Sequence, residues 1–329
     1  MMRGMHLARQ AETRPLQSFI DVTLRGVGQV FLQNHPLTGA CFLLALLANS
    51  LLAGDSLASQ GVNATWLFAG ALLGTGASTL TAMLLRLDRE ALRAGLYGYN
   101  GTLVGIAIPF FFQAEAGLLL AIAIAAALST LITDVGMRLF TRWQFPVLTA
   151  PFVLSTWLTL LAIRMLGGLQ PSGFMPGSSP ALSSSAPLTL IGAGEGLLTG
   201  VGQVMLQEHW LAGLLMLIGL LVSSRRAFAF GLLGSLIGLL LGLLGGADAS
   251  SLQAGLHGFN PVLTGIALGA VFSARHATVT ALLGMAATFL MTGLLGAALT
   301  PSALPALTAP FIVTTWLFLV ARQTASRRP

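Results

Sequence analysis

The chain of 329 residues is 55% hydrophobic and only 8% charged, with a mean hydropathy of +0.85. A soluble domain carries about a quarter charged residues, so the composition excludes a water-facing globule and is that of a polytopic membrane protein. The net charge of +6 comes from arginine with no lysine, which serves orientation through the positive-inside rule and needs no nucleic acid.

The opening segment MMRGMHLARQAETRP lacks the apolar core of a signal peptide. Its Arg3, Arg9 and Arg14 predict a cytoplasmic tail over residues 1–20. A first membrane repeat is expected over 21–165, with apolar spans near 37–53, 64–85, 101–113, 117–138 and 146–164. Gly167–Pro187, rich in Gly, Pro and Ser, reads as a linker, so the boundaries are set at 166–187. A second repeat follows over 188–321, with spans near 209–223, 227–246, 260–274, 276–297 and 305–321, and then a short tail over 322–329. The lone Cys41, in an apolar run, reads as a small buried hydrophobe.

Three segments recur in the same order. GVGQVFLQNH from Gly26 returns as GVGQVMLQEH from Gly200, and GLYGYNG from Gly95 as GLHGFNP from Gly255. FPVLTAPFVLSTWL from Phe145 returns as LPALTAPFIVTTWL from Leu304. Chance does not keep Gln, Asn, Thr, Pro and Trp collinear three times, so the chain is an internal duplication. Five spans per half make the second copy enter the membrane from the opposite side, as inverted-topology repeats. Both termini are then cytoplasmic. Arg86, Arg89, Arg93, Arg138, Arg142, Arg225, Arg226, Arg275, Arg322, Arg327 and Arg328 fall inside, and Asp55, Glu115, Glu208 and Asp248 near outer ends. Arg164 alone breaks the pattern.

The segments 89–99 and 249–259 are too short to cross about 30 Å of hydrocarbon. Each closes on Gly-aromatic-Asn followed by Gly101 or Pro261, residues that end helices. They predict two re-entrant half-helices whose C-terminal ends meet at mid-membrane. The carbonyls near Tyr99–Leu103 and Phe259–Leu263 would then be acceptors along a path for a donor-rich neutral solute. Gln29, Gln203, Asn100, Asn260, Thr149 and Thr308 add polar groups without charge. Ionisable residues are nearly absent from the cores of the spans, which argues against an ion-coupled carrier. Asp134 and Arg138 are expected to pair at an inner helix end, Asp21 with Arg25 and Glu195 to be interfacial, and His35 and His209, at matching helix starts, to be capping or interface residues; His257 is a candidate for the mouth. No metal-protease, thiol, P-loop or dinucleotide motif occurs, so neither an enzyme nor a metal or other cofactor is expected.

These duplicated signatures resemble those of the urea transporter family, over the chain from Asp21 to Phe318. The resemblance implies an all-α membrane protein in which two inverted repeats, each of about five transmembrane helices plus a re-entrant half-helix, surround a central pore. It implies a homotrimer in the bacterial inner membrane, with membrane lipid around it and urea running passively through one pore per subunit. By motif, Tyr99 with Leu103 and Phe259 with Leu263 would form the flat faces of a slot. Gln29 with Asn100 would mark the inner site, Gln203 with Asn260 the outer one, and Thr149 with Thr308 the constriction between them. The chain departs from some members at Gln203, where they carry a carboxylate, and at Tyr99, where they carry a plain phenyl ring. Other readings are a channel for another small neutral solute such as ammonia or a short amide, an ion-coupled carrier, and a structural or receptor role.

Overall fold

A computed structural model describes residues 15–52, 61–143, 145–174, 187–273 and 276–326. The expected basic tail with Arg3, Arg9 and Arg14, most of the linker, Asp55, Arg275, Arg327 and Arg328 lie outside the described residues. Within them the chain is helical apart from turns and one isolated bridge, Phe112 with Pro171. Helices satisfy their backbone polar groups internally, which a lipid interior demands.

In the first half these are α1 (Pro15–Gln29), α2 (Pro36–Leu52), α3 (Ala64–Leu84), α4 (Arg89–Arg93), α5 (Gly98–Phe111), α6 (Leu118–Thr141) and α7 (Ala150–Leu166). The second half repeats the order as α8 (Leu190–Gly202), α9 (Trp210–Ser223), α10 (Arg225–Leu244), α11 (Ala249–Gln253), α12 (Phe259–Ile266), α13 (Ala277–Leu299) and α14 (Ala309–Ser326). α12 runs on through a π-helical stretch, Ala267–Val271. The protein is thus an all-helical polytopic membrane protein. Among the described residues α3, α6, α10 and the α13 segment to Ser302 are long and apolar enough to cross a bilayer. The segments Leu190–Met205 and Trp210–Ser223 meet at a 73° bend across a short break, the geometry of a broken span or a re-entrant loop. α2, α7 and Phe259–Val271 are shorter apolar helices.

The boundaries differ from the sequence expectation at both ends. α1 begins at Pro15, inside the expected tail, and α14 runs to Ser326. α1 and α8, of 15 and 13 residues, did not stand out as spans because each is shorter than a bilayer crossing.

Glycine sets the closest approach. A methyl group on Gly70 would lie 2.0 Å from the Gly105 carbonyl, and one on Gly74 2.1 Å from that of Gly101, so α3 and α5 touch backbone to backbone. α10 repeats this in the second half, where a methyl on Gly238 would lie 2.3 Å from the His257 carbonyl. The two halves are tied reciprocally. Trp157 on α7 donates its indole N–H to the Pro305 carbonyl at 2.8 Å, and Trp316 on α14 donates to Pro146 at 2.9 Å.

The expected half-helices are shorter than the sequence suggested. α4 and α11 stop at Arg93 and Gln253, and Gly95 and Gly255 follow with φ of +74° and +71°. A left-handed residue just past a helix end is a stop signal that glycine takes without strain. The Gly-aromatic-Asn cluster therefore opens the next helix, α5 or α12, and does not close the short one. The carbonyls of Tyr99–Leu103 and Phe259–Leu263 consequently lie inside helices, where N–H groups one turn later take them. They are not the free acceptors the sequence predicted.

Arg164 donates to the carbonyls of Ser302 and Ala303, just past the end of α13. It complements the negative end of a helix, which explains its place outside the positive-inside pattern. Arg138 pairs with Asp134 at 2.9 Å, as its spacing predicted.

Candidate functional site

Two cavities open along the seam between the halves. The larger, about 740 Å³, is lined among others by Leu103, Phe110, Phe174, Gln203, Phe259 and Thr308. The smaller, about 450 Å³, is lined among others by Gln29, Leu96, Tyr99, Val147, Leu148 and Phe272. α5 runs from one to the other, since Tyr99 faces the smaller and Leu103, one turn on, faces the larger. α12 and its π extension run the opposite way, from Phe259 in the larger to Val271 in the smaller.

Gln29, Tyr99, Leu103, Gln203, Phe259 and Thr308 of the sequence candidates line these cavities, whereas Asn100, Thr149, Asn260 and Leu263 line neither. Leu103 shares its cavity with Phe259, and Tyr99 stands in the other. Leu263 is fully buried and lines neither. The helical period accounts for this: residues four apart on α5 lie about 6 Å apart along the axis, so Tyr99 and Leu103 open to different ends.

Each glutamine ends its helix and bonds backwards onto the short helix of its own half. Gln29 Nε2 donates to the Ala94 carbonyl at 2.9 Å, and Gln203 Nε2 to Ala254 at 2.9 Å. The amide oxygen of each remains an acceptor at the cavity wall. The asparagines act as clips between helices. Asn100 Oδ1 accepts from the Phe152 backbone N–H at 3.1 Å, and Asn260 Oδ1 from Phe311 at 3.4 Å. The LTAPF segments start with a residue in left-handed geometry, Leu148 at φ +53° and Leu307 at φ +49°. Helices α7 and α14 then start, with Pro151 or Pro310 in the first turn, where proline's missing N–H costs nothing.

The halves differ at one bond. Asn260 Nδ2 donates to the Leu307 carbonyl at 3.1 Å. In the first half Asn100 Nδ2 turns to Thr133 Oγ1 at 3.2 Å, and the Tyr99 hydroxyl takes the Leu148 carbonyl instead. The extra hydroxyl of Tyr99 thus replaces an amide donor. Between the two ends Thr149 Oγ1 and Thr308 Oγ1 lie 2.7 Å apart, both nearly inaccessible.

Charge is uneven. The larger cavity carries Glu208 and Asp248 in its lining, and among the described residues the smaller is lined by no charged one. Asp248 caps α11, and its carboxyl is held below the usual range by hydrogen bonds from Ser250 and Ser251. His209 Nδ1 accepts from the Leu211 N–H at 3.2 Å, the capping role expected of it. His257 hydrogen-bonds Ser251 at 3.2 Å beside the larger cavity.

The sequence reading missed much of the apolar lining, notably Phe110, Phe111 and Phe174. The run Phe110-Phe111-Phe112 was the available signal. It also passed over Glu208 as a wall residue, since a charge near a helix start resembles an interfacial one.

The family described as "Urea transporter" matches residues 20–323. The chain is 34% identical over 312 residues to "Urea transporter 1" of Rattus norvegicus, covering 92% of this chain and 77% of that relative. It is 32% identical to the protein of that name from Ovis aries and 33% to that from Mus musculus, with the same coverage.

Proposed function

The chain belongs to the urea transporter family and carries urea by facilitated transport, as a transporter and not an enzyme; we propose the route and the means. Urea passes from one cavity to the other along the seam, through the point where Thr149 meets Thr308. The observation that carries this reading is the pair of cavities lined by matching motifs of the two halves, with that hydroxyl contact between the segments lining them.

Urea is flat and neutral, with four N–H donors and one strong acceptor. Leu103, Phe259 and Tyr99 give apolar faces for its plane. The amide oxygens of Gln29 and Gln203 and the threonine hydroxyls accept its edge hydrogens. Hydrated ions would pay a desolvation cost that nothing charged in the constriction offsets. Transport is therefore passive and uncoupled.

The opposed directions of α5 and α12 and the reciprocal Trp157–Pro305 and Trp316–Pro146 bonds support inverted repeats about an in-plane two-fold axis. A two-fold relation makes contacts isologous, each patch meeting its own equivalent. By the arginine distribution both termini are cytoplasmic, with the Gln203 cavity outside, in a bacterial inner membrane. The exposed leucines of α13, such as Leu290 and Leu294, face lipid or the neighbouring subunits of a homotrimer.

Stopped-flow light scattering of proteoliposomes tests this. Fast urea entry, indifferent to proton and sodium gradients, is the expected result. Urea flux that stops when either gradient is removed would overturn the passive route.

A further inference from the structure

Glu208 is a carboxyl group without a partner. It lines the larger cavity, and among the described residues it makes no hydrogen bond and no ion pair. The first half shows what has changed. There the equivalent residue is Asn34, whose side-chain oxygen accepts from Arg25 Nη1 at 2.9 Å, and Arg25 is itself paired with Asp21 at 2.7 Å. In the second half the residue in the place of Arg25 is Thr199, whose hydroxyl bonds the Glu195 and Gln253 carbonyls. One copy has thus lost its cation and gained a carboxylate at the neighbouring position. The other carboxylate in the wall has one oxygen engaged in capping α11, since Asp248 Oδ1 accepts from Ser250 Oγ and from the Ser251 N–H.

We propose that Glu208 makes the larger cavity a binding site for a planar guanidinium-type cation, which blocks urea passage there. The inference rests on the reading of this cavity as one end of the urea route. A guanidinium ion has the flat outline of urea, so it fits between the same apolar faces at Leu103 and Phe259. It is weakly hydrated and stacks on aromatic rings, so entering an apolar cavity costs it less than it costs sodium. Its parallel N–H groups fork onto a carboxylate in a bidentate pair, and Glu208 has both oxygens free. It then has nowhere to go. The Thr149–Thr308 contact is neutral and, among the described residues, the smaller cavity is lined by no charged one, so a bare cation beyond Glu208 would be buried unpaired. A ligand held at one end and refused at the constriction is a plug.

The test measures urea flux in proteoliposomes with millimolar guanidinium chloride on both sides, against sodium chloride of equal ionic strength. Guanidinium is expected to cut the flux by more than half, while sodium leaves it unchanged. In Glu208→Gln, and in Glu208→Asn, which installs the residue of the first half, the ratio of flux with and without guanidinium returns to one. Equal block in wild type and both variants, or no block in wild type, overturns the assignment. Calorimetric titration of guanidinium into the purified protein in detergent separates this inference from the urea reading. Binding that is lost in Glu208→Gln supports the site even if no urea passes, and absence of binding overturns it even if urea passes.

Discussion

The hydroxyl oxygens of Thr149 and Thr308 lie 2.7 Å apart, although 159 residues separate them in sequence. Each follows a leucine in left-handed geometry and precedes the first turn of a helix. Two equivalent turns from the two halves therefore meet head to head, in the span between the two cavities. A hydroxyl pair can open to offer donors and acceptors to a passing solute, which a methyl cannot.

Thr149→Val combined with Thr308→Val is expected to lower urea flux about tenfold, equivalent to roughly 1.4 kcal/mol of barrier. Replacing both partners with groups of the same shape leaves no unpaired polar atom, so folding survives. Flux per folded protein in liposomes is the measurement, and wild-type flux in the double variant would remove the pair from the mechanism.

Tyr99→Phe removes the donor to the Leu148 carbonyl. A buried carbonyl left without a donor costs about 1–3 kcal/mol, so the unfolding midpoint in detergent should fall. An unchanged midpoint would mean that Asn100 has turned from Thr133 to Leu148, as Asn260 already serves Leu307.

Gly105→Ala and Gly76→Ala separate packing from propensity. A methyl at Gly105 would lie 2.0 Å from the Gly70 carbonyl, whereas one at Gly76 meets nothing within 4 Å. Overpacking costs about 1–3 kcal/mol, while alanine favours an open helical site by about 1 kcal/mol. Thermal unfolding should show the first variant destabilised and the second unharmed or better. Equal behaviour would contradict the backbone contact of α3 and α5.

Asp248 gives a pH dependence of definite sign. Its folded carboxyl is held below the ordinary value by Ser250 and Ser251, so the capping contribution is complete above the unfolded pKa of about 3.9. It is lost as pH falls through the depressed folded value. Wild type should therefore lose protection of α11 amides from hydrogen exchange on acidification below that range. Asp248→Asn, which keeps a capping oxygen but cannot titrate, should lose less. The same acid loss in both would exclude Asp248 as its source.

Membrane residence, duplication and the polar residues of the proposed site are all legible in the sequence, because each depends on local composition or on repetition. Apolar length marks the long helices α3, α6, α10 and α13, and the three duplicated signatures mark Gln29, Asn100, Thr149 and their counterparts. What the sequence could not decide is which surfaces face each other. Gly95 and Gly255 read as part of a helix-ending cluster, but their left-handed backbone ends α4 and α11 before the aromatic residue, and so moves Tyr99 and Phe259 to the start of the next helix. The single turn between Tyr99 and Leu103 then sends them to opposite cavities. The donor of Tyr99 to Leu148 and the reciprocal tryptophans join residues far apart in the chain. Such contacts are fixed by how helices pack, and packing is a property of the folded whole that no local pattern carries.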